Sequence, residues 1–208
     1  MRISTLAACG LCVLAASAAH AQNIVVDPGF ESATPGLHEA SNPAPFPAAL
    51  GDGAWTTTLG GVSVVNATVL AHSGSNSLDI SPGNIGGISQ TLVTVPGHAY
   101  DLSFFAEANF VTNAFSASFG GNVVFAQALP RTGLGTARYL QYTVPNLVAP
   151  SSSTVLTFNA NSGNENADIF LDDVSVVARA AAVPEPGSLA LLAGLVVPAT
   201  LLLRRRRA

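Results

Sequence analysis

The chain has 208 residues, is 49% hydrophobic and only 10% charged, and contains no lysine. Five of its eight basic residues lie at the two ends (Arg2, Arg204, Arg205, Arg206 and Arg207), so the stretch from Gln22 to Ala182 keeps three arginines against eleven acids, a net charge of −8. That acidity excludes nucleic acid and anionic membrane surfaces as partners and suits divalent cations or neutral glycans.

The first 21 residues predict a secretory signal peptide, not a membrane span. Met1-Arg2 is a short positive start, Leu6 to Ala16 is apolar, and Ala19-His20-Ala21 is a small-x-small cleavage site before Gln22. Leu6-Ala7-Ala8-Cys9 also spells a lipobox, but it lies too near Met1 for an apolar core to precede it, and cleavage after Ala21 is preferred. Both cysteines, Cys9 and Cys12, fall in this segment. The body that follows therefore has no disulfide, thiol nucleophile or thiolate metal site.

Residues 22–177 form one predicted domain. Short runs of β-formers recur between turn residues: Ile24–Val26, Gly61–Val65, Ser77–Ile80, Ile88–Val95, Tyr100–Ala106, Phe115–Phe119, Val123–Ala128, Tyr139–Val144, Thr154–Asn159 and Ile169–Val177. In Thr154–Asn159 the residues Thr154, Leu156 and Phe158 oppose Val155, Thr157 and Asn159, as in a sheet with one face on a core. In Tyr139–Val144, Leu140, Tyr142 and Val144 share a face. About ten such strands mean an all-β sandwich or barrel. The Pro-rich stretch from Ala33 to Gly53 reads as a long irregular loop.

Residues 178–187 are a linker carrying Pro184, Glu185 and Pro186, which can neither continue a helix nor join a sheet ladder. Residues 188–203 form an apolar run whose helix would reach about 24 Å, against about 30 Å for a bilayer core. Snorkelling arginines and local thinning close that gap. Residues 204–208 are the basic tail, which anchors that end in the cytoplasm. Together these parts resemble the PEP-CTERM sorting signal of Gram-negative bacteria. The resemblance implies export, transient tethering in the inner membrane, cleavage near Pro184–Pro186 by an exosortase-type membrane peptidase, and release to the cell surface or extracellular matrix. An anchor that is never processed is the alternative.

A second resemblance spans the domain. Asn23-Ile24-Val25-Val26-Asp27-Pro28-Gly29-Phe30-Glu31, then Trp55, His72-Ser73-Gly74-Ser75-Asn76-Ser77-Leu78, Ile88-Ser89-Gln90 through Pro96-Gly97-His98-Ala99-Tyr100, and Phe170-Leu171-Asp172-Asp173-Val174 follow in the order seen in galactose-binding-like domains. That group includes many carbohydrate-binding modules. The resemblance implies a jelly-roll β-sandwich and a structural calcium joining first and last strands. Glu31 and Asp172 would be carboxylate ligands, with Asp173 or backbone carbonyls completing a shell of six to eight oxygens. The bland alternative leaves Glu31 and Asp173 as solvated acids and Asp172 as a turn cap.

Catalytic signatures are missing. His38, His72 and His98 form no His-x-x-x-His pair, and no Gly-x-Ser-x-Gly elbow or phosphate-cradling glycine loop occurs. Asp172-Asp173 is not read as a catalytic pair, since neighbours on a strand face opposite ways. For sugar binding, Trp55, Tyr100 and Tyr142 fit core positions, whereas Phe46 and Phe110 fall at loops or strand ends where a ring could be exposed. Thr56-Thr57-Thr58 alternates faces and makes no flat threonine array by itself. The sequence therefore predicts a non-enzymatic exported surface or matrix protein. The alternative is a carbohydrate-binding module recognising the organism's own exopolysaccharide, and a third reading is a hydrolase with a loop-borne acid pair.

Overall fold

The computed structural model describes residues 22–39, 49–50, 54–82, 85–110, 114–163 and 167–180. The expected signal peptide, Phe46, the Pro-Glu-Pro motif, the apolar run 188–203 and the tail 204–208 lie outside them. Among the described residues no helix is long and apolar enough to cross a membrane.

The body is all-β, as predicted. Its strands are β1 (Gly36–Glu39), β2 (Ala49–Leu50), β3 (Trp55–Asn66), β4 (Asn76–Asp79), β5 (Ile85–Val93), β6 (Ala99–Ala108), β7 (Ala114–Phe119), β8 (Asn122–Gln127), β9 (Leu140–Val148), β10 (Ser153–Asn161) and β11 (Ile169–Ala178). Every described pairing is antiparallel. Sheet I runs β1-β3-β4-β11-β6-β9, and sheet II runs β2-β3-β5-β10-β7-β8. Strand β3 belongs to both: Trp55–Gly60 pairs in sheet II and Gly61–Val64 with β1 in sheet I.

Glycine permits that change of sheet. Gly60 has φ 55°, and a Cβ there would run into the carbonyl of Ile85. A Cβ on Gly86 would run into the carbonyls of Ile80 and Gly61. Backbones approach there more closely than any side chain allows.

One core lies between the sheets. Phe104 of sheet I meets Phe158 and Phe115 of sheet II at ring-centroid distances of 5.2 and 5.7 Å. Trp55 is fully buried between Phe30 and Phe158, 5.6 and 6.4 Å away. At the far edges Phe125 of β8 meets Tyr142 of β9 edge-on at 5.2 Å, which nearly closes the sandwich. Trp55 and Tyr100 are core residues, as their positions predicted, and Tyr142 packs against the core half-buried. The face shared by Thr154, Leu156 and Phe158 is the buried one. Tyr142 and Val144 face the core, but Leu140 beside them is exposed.

Two expectations fail locally. The stretch from Ala33 to Gly53 is not wholly irregular, because it contributes β1 and β2 to opposite faces of the molecule. Ile24–Val26 is not a ladder strand. Only Asn23 bridges to Val177; beside backbone bonds from Ile24 to Val176 and from Val174 to Pro28, side-chain amides add more: Asn23 Oδ1 accepts from Val25 and Val176, and Asn23 Nδ2 donates to Val174. These bonds satisfy backbone groups that a ladder would otherwise pair.

Candidate functional site

The two ends of the described body meet beside sheet I. Glu31 comes from the turn after Phe30, Asp172 and Asp173 come from β11, and His72 and Ser73 come from the β3–β4 connection. A register shift between Asp172 and Ser175 and a φ of 47° at Asp173 mark a bulge. The bulge breaks strand alternation, so Asp172 and Asp173 do not face opposite ways as a regular strand would require. A Cβ on the buried Gly29 would lie 3.4 Å from Asp172 Oδ1, 3.6 Å from Asp173 Oδ1 and 3.8 Å from Glu31 Cγ. The Asp172 and Asp173 carboxylates thus lie together beside Gly29, whereas Glu31 approaches it through Cγ and sets its carboxylate against Gly74.

Their bonds show what fills their valences. Asp172 is fully buried and accepts from the backbone N–H of His72 (2.8 Å), Ser73 (3.3 Å) and Asp173 (2.7 Å). Burial, and then the charge of Asp173, push its carboxyl up to about 7. Asp173 accepts from Ser73 Oγ at 2.7 Å and pairs with His72 Nδ1 at 2.6 Å. The His72 ring stacks on Phe105 at 3.7 Å. Glu31 Oε1 accepts from the N–H of Ser75 and Asn76 at 2.8 and 2.9 Å. Among the described residues no three His, Cys, Asp or Glu side chains converge as a metal-holding group. A hard cation at Gly29 would need backbone oxygens beside these carboxylates, which is ordinary for calcium.

A second polar group gathers where β4, β6 and β11 share an end. Asp79 closes β4, Asn109 and Phe110 follow β6, and Asp168 precedes β11. Asn109 and Asp168 share three bonds: Asn109 Nδ2 donates to Asp168 Oδ2 at 2.7 Å, the Asp168 N–H to Asn109 Oδ1 at 2.8 Å, and the Asn109 N–H to the Asp168 carbonyl at 3.3 Å. Phe110 is 43% exposed, and the Arg131 guanidinium lies over its ring, 5.6 Å from the centre. Asp79 is buried, and desolvation together with Asp168 raises its carboxyl to about 7.

Sequence reading named Phe110 but missed Asn109, Asp168 and Arg131 as its neighbours. Their signal is tertiary, since Thr132 and Gly133 dock on the Ala108 carbonyl and so bring the β8–β9 connection to the end of β6. Glu107 was also missed. It is buried under that connection, accepts from the Gly135 N–H at 3.0 and 3.1 Å, and is raised to about 7 by burial despite Gly135 and Arg138.

No protein-family model and no curated protein matches the sequence. Solved structures do match. TmCBM61 in complex with beta-1,4-galactotriose aligns over 76% of this chain and 99% of its own, with a TM-score of 0.52 and 20% identity. A Family 16 Carbohydrate Binding Module-2 aligns over 74% and 99% with a TM-score of 0.47 and 17% identity. A family 35 carbohydrate binding module from Clostridium thermocellum aligns over 69% and 98% with a TM-score of 0.45 and 16% identity. The chain has the β-sandwich fold seen in the first of these.

Proposed function

We propose that this chain is a non-catalytic carbohydrate-binding module, exported from the cell and sorted through its C-terminal tail. The observation that carries the reading is the exposed Phe110 ring. The Arg131 guanidinium lies over one face of this ring, and the locked Asn109–Asp168 pair lies next to it. Sugars are bound by that combination, C–H faces on the ring and hydroxyls on a few fixed polar groups. The Pro184–Arg207 tail supports handover to an exosortase-type peptidase and residence at the cell surface or in the matrix.

Calcium belongs to the same proposal as a structural ion. Glu31, Asp172 and Asp173 would hold it around Gly29. A cation there would supply the positive charge that the buried Asp172 lacks and tie the two chain ends together.

The test is affinity electrophoresis of the full chain, in mild detergent, through gels carrying a panel of polysaccharides. Phe110→Ala should weaken retention at least tenfold in the gel that retards the wild type. A wild type that passes every gel unretarded leaves only the surface-protein reading.

A further inference from the structure

Charge is divided unequally between the two sheets. Every Asp, Glu or His carried by a strand lies in sheet I: His38, Glu39, Asp79, Asp101, Glu107, Asp172 and Asp173. Strands β2, β5, β7, β8 and β10 and the Trp55–Gly60 half of β3 contain no ionisable side chain at all. In a domain of net charge −8, one whole sheet is neutral.

The outer face of that sheet is ordered by register. Thr56 pairs with Ser89, Ser89 with Thr157, and Thr157 with Ser118. These half-buried side chains form one row across four strands, about 14 Å long at ordinary strand spacing. A second row holds Asn159 and Ser116 beside Gly87, over which Asn159 and Thr58 lean. Thr56 Oγ1 and Ser89 Oγ bond each other at 3.3 Å. Among the described residues the side chains of Ser116, Ser118 and Thr157 make no hydrogen bond, so three hydroxyls of the rows are open to a ligand.

The large apolar residues of this face border the rows: Val93 and Val155 towards one end, Ile85 at the other, Leu59 on β3 beside Gly87, and Val123 on β8. Protein interfaces have the opposite anatomy, an apolar centre inside a polar rim. A second copy of the chain therefore fits poorly here. Register shifts in β3 (Thr57/Leu59) and between β7 and β8 (Ala117/Ser118) interrupt the spacing that a crystalline surface would demand. A charged polymer finds no counter-charge. A neutral polyhydroxylated chain finds donors and acceptors in rows and gives up no ionic hydration to reach them.

We infer that the outer face of sheet II is a docking surface for an extended, neutral polysaccharide chain, held by hydrogen bonds along the Thr56–Ser89–Thr157–Ser118 row. The inference rests on the carbohydrate-binding reading but on a surface separate from Phe110. The probes are gels of β-1,4-galactan and glucomannan against gels of polygalacturonate. Thr157→Arg and, separately, Ser118→Arg place a bulky cation on the row without touching the core. The expected result is retardation in a neutral gel that survives 0.5 M salt, in keeping with a contact free of ion pairs. Each arginine variant should weaken it at least tenfold, with an unchanged melting temperature. Full retention in both variants, with loss in Phe110→Ala alone, would overturn this surface and leave the module reading intact. Retention only in polygalacturonate would overturn the neutral assignment. No retention of the wild type in any gel would remove both readings.

Discussion

Gln90 holds Val26 as a neighbouring strand would: its Nε2 donates to the Val26 carbonyl and its Oε1 accepts the Val26 N–H, both at 2.8 Å. One buried amide thus replaces two ladder bonds and pins the N-terminal segment to β5. Gln90→Leu keeps the volume and removes both bonds. It should cost about 1–3 kcal/mol, the usual penalty for stranding such groups, read as a lower urea midpoint with unchanged slope.

The cradle at Gly29 predicts a metal response that can be abolished without deleting an acid. The wild-type melting temperature should rise with calcium and fall with EGTA, by up to about 3 kcal/mol of stability at a hundredfold excess over Kd. Gly29→Ala should blunt the response because its methyl would sit against Asp172 Oδ1 and Asp173 Oδ1. Asp172→Asn should blunt it through charge. Equal melting curves in calcium and EGTA would dispose of the ion.

Asp79 and Glu107 fix the direction of a pH effect. Both carboxyls titrate near 7 in the fold, from ordinary values of 3.8 and 4.5. Asp79 faces Asp168 and the N–H groups of Ser81 and Ile169, and Glu107 faces Arg138 and the Gly135 N–H. Because the folded values are the higher ones, the proton-linked stability is complete below about pH 4. It is lost as pH rises through 7, by a few kcal/mol in all. Denaturation in EGTA at pH 5 and pH 8 checks this, and Glu107→Gln should flatten the difference.

The tail predicts a mass. The secreted protein should begin at Gln22 and end near Pro184–Pro186, whereas a strain lacking the membrane peptidase should retain the mass through Ala208. Intact-mass spectrometry of both strains reads the two termini together. Identical masses in the two strains would refute sorting by cleavage.

Much of this architecture is legible in the sequence because period-two alternation survives wherever a strand has one wet face. β10 shows it without interruption. Legibility fails where geometry departs from the regular strand. β9 runs through Pro145 to Val148 because Asn146, at φ 63°, bulges and donates its N–H to Asp101, so a reading that stops at the proline ends too soon. The bulge at Asp173 likewise hides from alternation the gathering of Asp172 and Asp173. Glu31, Asp172 and Asp173 were named by resemblance, and their juxtaposition needs the fold. The Asn109–Asp168 pair and the neutral rows of sheet II are products of register across strands distant in sequence, which no local pattern carries.

Strand β11 has Ile169 at one end, next to Asp168 and the Phe110 ring, and Ala178 at the other, where Asn23 has bridged to Val177. Ten residues of extended chain separate those ends by roughly 30 Å. A molecule moored through the residues after Ala178 therefore carries its aromatic tip at the far end of a rigid mast, a sandwich's length clear of its mooring point. Both described ends of the body lie side by side at the end opposite the tip.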